Sequence, residues 1–436
     1  MLAALLLRYA GRGLADSERR LLFSMLAVAL AVRAAAIVVL FLLGIPSLND
    51  MSVGALSGDE AYNLSRALRA RDVLRGLGDT RYDRFVLTDE YGRNSYVTLL
   101  TWLQMAFGPT PYSAKLLNAL FYTTGATILF RVARPAFGPV PAFVGLGAVL
   151  ALPSLLYSSV TLLKDSLYFM ATAVVFASVV TVVRRGTVGP RVIAGAAAVA
   201  GLWVVGDLRR GAIPLAVTGI VVGLILRVVA ARPWRMAAAA SAAALGLLIA
   251  GLQPTLRDRA VAVVASAARI HSGHVFTVGH AYKLLDDGFY VNPSDPNTPP
   301  PELTPAQALR FVVRGLVRFV VTPLPWEIAS RSEWAFLPEH LIWFLAIGLL
   351  PFGLAAGWAR DPLVATLLVG YVLPTAITLA LTNDNIGTLL RLRGLVTPYW
   401  MWLSALGLCQ VAQWVLTMER SAPRPLGGPH VEGSPG

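Results

Sequence analysis

The chain has 436 residues, of which 56% are hydrophobic and only 14% are charged, against about 25% charged residues in a typical soluble domain. A soluble protein this apolar would expose large hydrophobic patches, so the composition favours a lipid bilayer as the solvent. The net charge of +13 lies in short arginine clusters between apolar runs. These clusters form no continuous basic face, which argues against nucleic acid as a partner.

The N-terminus predicts a cytoplasmic lead-in over residues 1–20 and no cleaved signal peptide. Its apolar stretch, Met1–Leu7, is short and is followed by arginines without a clear cleavage site. The first predicted span is Leu21–Ile45, and it contains Arg33. Because a charge in lipid is costly, Arg33 is expected to face protein or to reach the membrane surface.

Residues 46–112 predict a first outer loop with one apolar segment, Ser95–Gly108. This segment has about 14 residues, which is short for a transmembrane helix. If it crossed the membrane, Arg131 and Arg134 would lie outside, against the positive-inside rule. The sequence therefore predicts an interfacial helix here.

Nine further spans follow this loop. Their predicted limits are Ser113–Arg131, Pro139–Tyr157, Ser166–Val183, Val192–Val205, Gly211–Val229, Met236–Leu252, Leu337–Trp358, Pro362–Leu381 and Leu395–Leu416. The prediction is an all-α polytopic membrane protein with about ten transmembrane helices, interfacial helices and both termini in the cytoplasm. Its parts are a transmembrane module over 21–252, C-terminal helices over 337–417 and a disordered cytoplasmic tail over 418–436.

Residues 253–336 predict a large outer, periplasmic loop. Its Pro-rich part, Asn292–Pro305, is typical of an irregular surface segment. Ala306–Val321 has apolar residues at helical spacing, with Arg310, Arg314 and Arg318 four residues apart. This pattern predicts an amphipathic helix with one basic stripe, lying on the membrane or presenting a solvated basic face.

Two short outer loops carry positive charge where the orientation rule disfavours it. They are Asp207-Leu208-Arg209-Arg210 and Arg391-Leu392-Arg393. Misplaced arginines need partners, and an anionic ligand is a natural one. The alternative is that they bind lipid phosphates or pair with Asp207 and Asp384.

Two acidic positions are the main candidates for chemistry. Ser57-Gly58-Asp59-Glu60-Ala61-Tyr62 lies in the first outer loop, and Asp165 follows Lys164 at the outer end of the fourth span. These carboxylates could simply cap helices. Alternatively, Asp59 is a base near the membrane surface that takes a proton from an acceptor hydroxyl.

Several short segments carry a family resemblance. They are Asp59-Glu60-Ala61-Tyr62, Phe107-Gly108-Pro109, Lys115-Leu116-Leu117-Asn118-Ala119-Leu120, Arg131-Val132-Ala133-Arg134-Pro135-Ala136-Phe137-Gly138, Lys164-Asp165-Ser166-Leu167, Arg209-Arg210-Gly211 and Asn385-Ile386-Gly387-Thr388. In these segments the chain resembles the GT-C glycosyltransferases, especially the family-39-like group that includes protein O-mannosyltransferases and bacterial lipid A aminoarabinose transferases. It departs from that group at Gly92-Arg93-Asn94-Ser95, where members usually carry His-Pro-Pro.

The resemblance implies a glycosyltransferase that uses a polyprenyl-phosphate-linked sugar donor and works by inverting attack at the outer membrane face. It implies that Asp59 is the base, that Asp165 positions the acceptor or a basic partner, and that Glu60 supports them. Arg210, Arg391 and Arg393 would hold the lipid phosphate. Further substrate-binding candidates are Tyr62, Lys164, Arg209 and Asn385.

Other interpretations stay open. One is a transporter or flippase of lipid-linked saccharides, although internal repeats and mid-membrane charges typical of transporters are not evident. Another is a polysaccharide polymerase or ligase. The acceptor is a glycan, a lipid or a protein, and the expected location is a bacterial inner membrane, with the site on the periplasmic face.

The sequence predicts no definite metal site, although a divalent metal ion is left open. His271, His274 and His280 lie near Asp286 and Asp287, but without a helical pattern they are interpreted as loop histidines. The single cysteine, Cys409, lies in an apolar run, which excludes an intramolecular disulfide and indicates a packed small side chain.

Overall fold

The computed structural model describes residues 8–43, 58–77, 94–109, 111–275, 280–290, 302–327, 334 and 337–421. The helices are α1 (Asp16–Leu43), α2 (Gly58–Leu74), α3 (Ser95–Phe107), α4 (Pro111–Phe137), α5 (Pro139–Ala151), α6 (Pro153–Val160), α7 (Asp165–Arg184), α8 (Val188–Leu208), α9 (Ala212–Ala230), α10 (Pro233–Leu252), α11 (Pro254–Val275), α12 (Pro305–Val321), α13 (Leu337–Arg360), α14 (Pro362–Thr382), α15 (Ile386–Arg393) and α16 (Thr397–Ser421). Predictions for residues 1–7, for most of 46–93, for 291–301 and for 422–436 fall outside the described residues.

Eight helices of the described residues are long and apolar enough to cross a membrane: α1, α4, α7, α8, α9, α13, α14 and α16. The bent pair of α5 and α6 raises this number to nine if the two form one span. The predicted span Met236–Leu252 lies in α10, which is not among these candidates. The all-α, polytopic membrane architecture is thus confirmed.

Burial separates a central group of spans from a peripheral one. In the apolar windows of α4, α7 and α14, 61–67% of residues are buried, whereas the corresponding share in α1, α8, α9 and α13 is 17–22%. The peripheral helices expose valines, leucines and isoleucines that a bilayer would cover. Among the central helices, α7 begins at Asp165, which is a residue of the candidate site.

The short helix α3 agrees with the predicted interfacial segment. Its 13 residues span about 20 Å at 1.5 Å per residue, less than the roughly 30 Å of a bilayer core. Asn94 caps it by accepting hydrogen bonds from the amides of Tyr96 and Val97. One face is buried at Tyr96 and Leu100, while Trp102 is exposed.

The predicted span Pro139–Tyr157 is broken, although hydropathy predicted one continuous helix. Helices α5 and α6 meet at an angle of 59°. The break falls at Leu152, which has an extended conformation, and Pro153 starts α6. A proline disfavours helical geometry in the residue before it, which explains the position of the bend.

Arg33 of α1 is fully buried and holds this bend, as expected for a charge that faces protein. Its Nε donates to Ser159 Oγ of α6 at 2.8 Å, and its Nη2 donates to the Leu150 carbonyl of α5 at 3.1 Å. The guanidinium also lies 5.0 Å from the centre of the Tyr122 ring. One arginine thus links both halves of the broken helix to α1.

Helices α9 and α14 approach closely through glycines. A Cβ atom on Gly223 would lie 2.8 Å from Leu367 Cα, and one on Gly370 would overlap the backbone of Gly219 and Gly223. Small residues four apart permit this kind of approach between membrane helices. The contact brings α14 against α9.

The predicted loop 253–336 contains two helices. Helix α12 confirms the amphipathic segment, with Phe311 and Phe319 buried and Leu309, Val313 and Val317 exposed. Helix α11 was not predicted. It carries the fully buried His271, so the interpretation of this residue as a loop histidine is wrong.

Arg310, Arg314 and Arg318 lie four residues apart along α12, as the predicted basic stripe requires, and each of them has a partner. They bind separate partners: Arg310 pairs with Asp286, Arg314 donates to the Leu284 carbonyl and Arg318 pairs with Glu327. The helix therefore uses its positive charges to hold neighbouring segments.

Residues 280–290 lie against the connection between α14 and α15. Ala281 and Asn385 form an antiparallel bridge. The Tyr282 amide donates to the Asp384 carbonyl at 2.8 Å, and the Ile386 amide donates to the His280 carbonyl at 2.9 Å. These contacts fix the start of α15, which carries Arg391 and Arg393.

Candidate functional site

The neighbouring acids at the start of α2 have opposite environments. The Asp59 side chain is 63% exposed. The Glu60 side chain is fully buried. Because successive residues of an α-helix point about 100° apart, one carboxylate faces outward while the other enters the protein.

Glu60 is the anchor of α2. Its Oε1 lies 2.8 Å from Lys115 Nζ on α4, and both side chains are fully buried. The same oxygen accepts a hydrogen bond from the Leu162 amide at 2.8 Å. Asn63, one turn further along α2, donates to the Leu162 carbonyl at 3.0 Å. The geometry gives Glu60 a positioning role, since it holds Asp59 in place from behind.

Lys115 is a functional partner that the sequence pattern did not predict. A lysine inside the predicted span Ser113–Arg131 was the available signal, because an intramembrane charge needs a counter-charge. The sequence did not show that Glu60, 55 positions earlier, would supply it.

Arg391 brings the two candidate acids together. Its Nη1 pairs with Asp59 Oδ2, and its Nε lies 3.2 Å from Asp165 Oδ2. Asp59 is on α2, Asp165 is the first residue of α7 and Arg391 is on α15. Three segments that are far apart in the sequence therefore meet at one guanidinium.

The other oxygen of Asp165 binds a second arginine. Asp165 Oδ1 pairs with Arg209 Nη2, and the Arg209 guanidinium lies 5.4 Å from the centre of the Tyr168 ring. Asp165 is therefore held between two guanidinium groups, which orient its carboxylate and keep it charged.

Lys164 completes a group that we call the acid–arginine cluster: Asp59, Lys164, Asp165, Arg209 and Arg391. Burial, followed by repulsion from Arg209, lowers the pKa of Lys164 from 10.5 to about 8, and Asp165 partly offsets this. At neutral pH the cluster holds three cations and two carboxylates, a net charge of +1. A partly exposed site with a positive excess is suited to an anion.

The remaining predicted residues surround the cluster or lie apart from it. Tyr62 packs its ring 4.4 Å from the Arg66 guanidinium. Arg210 is exposed, directly after Arg209. Asn385 caps α15 by accepting a hydrogen bond from the Thr388 amide at 3.1 Å, so it supports the helix that carries Arg391.

Arg393 lies on the other side of α15 from Arg391. Two residues correspond to roughly 200° around a helix axis. The Arg393 side chain is buried, its Nη2 donates to the Phe319 carbonyl, and its guanidinium lies 4.6 Å from the centre of the Trp343 ring. Arg391 and Arg393 therefore face different sides of α15, which does not fit the prediction that both hold the same lipid phosphate.

Arg209, Arg391 and Arg393 bind groups other than Asp207 and Asp384, so the alternative pairing is wrong for these three arginines. Asp207 Oδ2 accepts a hydrogen bond from the Ser95 amide and so joins α8 to α3. Asp384 is fully buried, and neither of its carboxylate oxygens accepts a hydrogen bond from another described residue. This burial raises the pKa of Asp384 to about 7.

No group of three or more His, Cys, Asp or Glu side chains that could hold a metal ion occurs within the described ranges. His271 instead lies 3.0 Å from the Asn383 carbonyl through Nδ1 and packs edge-on against Tyr282 and Phe311. The side chain of His274 is not among those described.

Comparison with protein-family models finds no match, and comparisons with curated proteins and with solved structures find no significant similarity. The chemistry of the site is therefore argued from its geometry. It offers one exposed carboxylate, one buried carboxylate locked by two arginines, and a positive excess at the ends of membrane helices.

Proposed function

We propose that the protein is a membrane glycosyltransferase that transfers a sugar from a polyprenyl-phosphate donor to an acceptor hydroxyl at the outer membrane face. The observation that carries this proposal is Arg391, which binds the exposed Asp59 and the buried Asp165 together. The resemblance of the same acidic segments to GT-C glycosyltransferases supports the same reaction.

The location of the cluster suits a lipid-linked phosphate. Asp165 begins the candidate span α7, and Arg209 directly follows the candidate span α8. A phosphate attached to a membrane-embedded chain lies at such helix ends. Fixing a lipid donor and an acceptor at one interface supplies the proximity that a bimolecular transfer needs.

The residues divide the chemistry between them. The donor phosphate displaces Asp59 from Arg391 and binds the cations Arg391, Arg209 and Lys164, which stabilise its charge as it leaves. The freed Asp59 accepts the proton of the acceptor hydroxyl. The acceptor oxygen then bonds to the anomeric carbon from the opposite side, the bond from that carbon to the phosphate oxygen breaks, and polyprenyl phosphate leaves.

The test uses the purified full chain in lipid nanodiscs with radiolabelled polyprenyl-phosphate hexoses and pentoses. Release or transfer of sugar is expected from the unmodified protein. Asp59→Asn should lower the rate by about 100-fold or more because it removes the base. Asp72→Asn on the same helix is the matched control and should keep full activity and the same melting temperature.

A second variant separates donor binding from proton transfer. Arg391→Gln should raise the donor KM by about tenfold or more, the usual effect of losing a charged hydrogen bond. Full activity of a folded Asp59→Asn variant would contradict the proposed base. Movement of a lipid-linked sugar across the bilayer without bond cleavage would contradict the enzyme and favour a flippase.

A further inference from the structure

The loop between α6 and α7, residues 161–164, is buried although it is not helical. Residues 161–163 each expose at most 2% of their surface. Backbone groups of a buried loop cannot bond to water, so they need partners from the protein. The loop leads directly into Lys164 and Asp165 of the acid–arginine cluster, and its shape therefore decides where these two residues lie.

Asn118 of α4 binds this loop at two points. Its Nδ2 donates to the Thr161 carbonyl and, at 2.9 Å, to the Leu163 carbonyl. A carbonyl only accepts, so the amide nitrogen of Asn118 and not its amide oxygen must face the loop. The same nitrogen lies 2.9 Å from the Tyr96 hydroxyl of α3, and Asn118 is only 1% exposed. Asn118 thus holds the loop from the side of α4.

Helix α2 holds the middle of the same loop. Glu60 accepts a hydrogen bond from the Leu162 amide at 2.8 Å, and Asn63 donates to the Leu162 carbonyl at 3.0 Å. Asp59 directly precedes Glu60 on this helix. The loop therefore joins the helix that carries Asp59 to the start of α7 through contacts that do not involve Arg391.

These loop contacts become important when a ligand occupies the cluster. In the proposed reaction the donor phosphate displaces Asp59 from Arg391, which breaks the ion pair between α2 and α15. The contacts of Asn118, Glu60 and Asn63 with the loop do not use Arg391, so they remain at this step. They keep the helix of the base against the start of α7 while the phosphate is bound.

We propose that Asn118 and Asn63 are positioning residues of the acid–arginine cluster, which fix the α6–α7 loop and so set the places of Lys164 and Asp165 relative to Asp59. Neither asparagine touches the substrate, and both act through the loop backbone. This role rests on the proposed function for its effect on turnover, whereas its effect on the cluster is measured without any substrate.

Lys164 reports the shape of the loop. Burial, followed by repulsion from Arg209, lowers its pKa to about 8. The other charged groups that act on it are Asp165, Arg391 and Asp59. A loop released from Asn118 or Asn63 lets the ammonium group reach water and move away from Arg209. The pKa of Lys164 should then rise toward its usual 10.5.

The experiment measures the pKa of Lys164 by competitive acetylation with acetic anhydride, on the full chain in nanodiscs. The pH runs from about 6 to about 11, which brackets the pKa values of free and buried lysines. Only the neutral amine reacts, so the rate of acetylation follows deprotonation. The sequence contains three lysines, Lys115, Lys164 and Lys283, which mass spectrometry separates. Lys283, whose side chain is 45% exposed, is the internal reference.

Two variants release the loop. Asn118→Leu and Asn63→Leu remove the amide donors at nearly constant side-chain volume. Each should raise the pKa of Lys164 by about one unit or more. Each should also lower the kcat of sugar release by about tenfold or more, because misplaced groups lose proximity. Asn63 is only partly buried, so its variant keeps the test decisive where Asn118→Leu does not fold, which melting temperatures show.

Thr127→Val is the matched control. Thr127 is fully buried on α4, like Asn118, but its hydroxyl donates to the Thr123 carbonyl of the same helix. The variant removes a buried polar group without touching the loop. It should leave both the pKa of Lys164 and the kcat unchanged.

The outcomes separate this role from the proposed function. An unchanged pKa of Lys164 in the loop variants that fold overturns the positioning role. An equal shift in Thr127→Val, or a kcat that stays constant although the pKa has shifted, overturns it as well. If the unmodified protein releases no sugar, the proposed function fails, while a shift confined to the Asn118 and Asn63 variants still supports their hold on the cluster.

Discussion

Asp59 and Glu60 are adjacent in the sequence, yet only Asp59 is open to a ligand. The sequence predicted a functional acidic pair, and the described structure divides it into an exposed carboxylate and a buried ion pair with Lys115. This division follows from the helical geometry of α2 and from the position of Lys115 on α4. Neither can be derived from the local motif alone.

The buried pair predicts strong coupling between Glu60 and Lys115. Glu60→Gln should destabilise the protein by about 3–5 kcal/mol, because it removes the carboxylate that pairs with the buried Lys115 ammonium. The double variant Glu60→Leu with Lys115→Met should recover much of this loss, since it buries no unpaired charge. Thermal unfolding in detergent measures both.

Activity in the same variants distinguishes the roles of Glu60. If Glu60 only positions Asp59, turnover should return together with stability in the double variant. A double variant that is as stable as the unmodified protein but inactive would instead make Glu60 a participant in the reaction.

Asp384 predicts a pH dependence of stability. Its pKa is raised from 3.8 to about 7 by burial, so the folded protein keeps a proton that the unfolded chain loses near pH 4. The stability from this group is therefore present at low pH and is lost as the pH rises toward about 7. Above that pH the folded state carries a buried charge.

Asp384→Asn should remove this dependence. The variant should gain melting temperature relative to the unmodified protein as the pH rises from 4.5 to 7, and the difference should level off above that. Asp258→Asn on α11, with an exposed side chain, is the control and should show no such trend. A pH-independent difference for Asp384→Asn would contradict the raised pKa.

At the scale of elements, hydrophobic periodicity predicted most helices but not their breaks. The predicted limits of α7, α9 and α14 agree with the structure to within one residue. By contrast, α1 starts five residues before the predicted span, and α4 extends six residues past its predicted end. The bend at Leu152 was missed, although Pro153 was its signal. Helix α15 was also missed, because eight residues between two spans look like a loop.

The omission of α15 explains why Arg391 and Arg393 were assigned to one phosphate. In a loop their side chains could converge, whereas on a helix they point to opposite sides. The four residues that do meet, Asp59, Asp165, Arg209 and Arg391, were all predicted to lie at one membrane face. The topology predicted their shared face, but which of them form ion pairs depends on side-chain packing.

The contact between α9 and α14 predicts that two glycines respond differently to the same change. Gly370→Ala should destabilise the protein by about 1–3 kcal/mol or more, because the new methyl group overlaps the backbone of α9. Gly246→Ala on α10 has open space and should be neutral or stabilising by up to about 1 kcal/mol, through helix propensity. Melting temperatures in one detergent compare the two. Equal effects would contradict the close packing of α9 and α14.

At the scale of the whole molecule, composition alone predicted a bundle of membrane helices, and the described residues agree. The buried fraction of each helix shows a division that the sequence did not predict: α4, α7 and α14 are central, whereas α1, α8, α9 and α13 are peripheral. The reason is that all these helices are similarly apolar, so hydropathy does not distinguish a helix that faces lipid from one that faces protein.

The orientation of the bundle is the remaining prediction, and the proposed function depends on it. Basic inner loops predict that the turn after α2 lies outside and that the α7–α8 connection lies inside. Leu77, which is 72% exposed, and Gly186, which has open space around it, are suitable labelling positions in these two segments. Cys409 is replaced by serine first, so that each variant has a single thiol.

Leu77→Cys should react with a membrane-impermeant maleimide in intact cells, and Gly186→Cys should react only after permeabilisation. Leu77 lies in the turn directly after α2, and α2 carries Asp59. Labelling at position 77 therefore also reports on which side of the membrane the acid–arginine cluster lies. The reverse pattern would place that cluster in the cytoplasm. A donor presented at the outer face could not then reach it, and the sugar transfer proposed at that face would have to be abandoned.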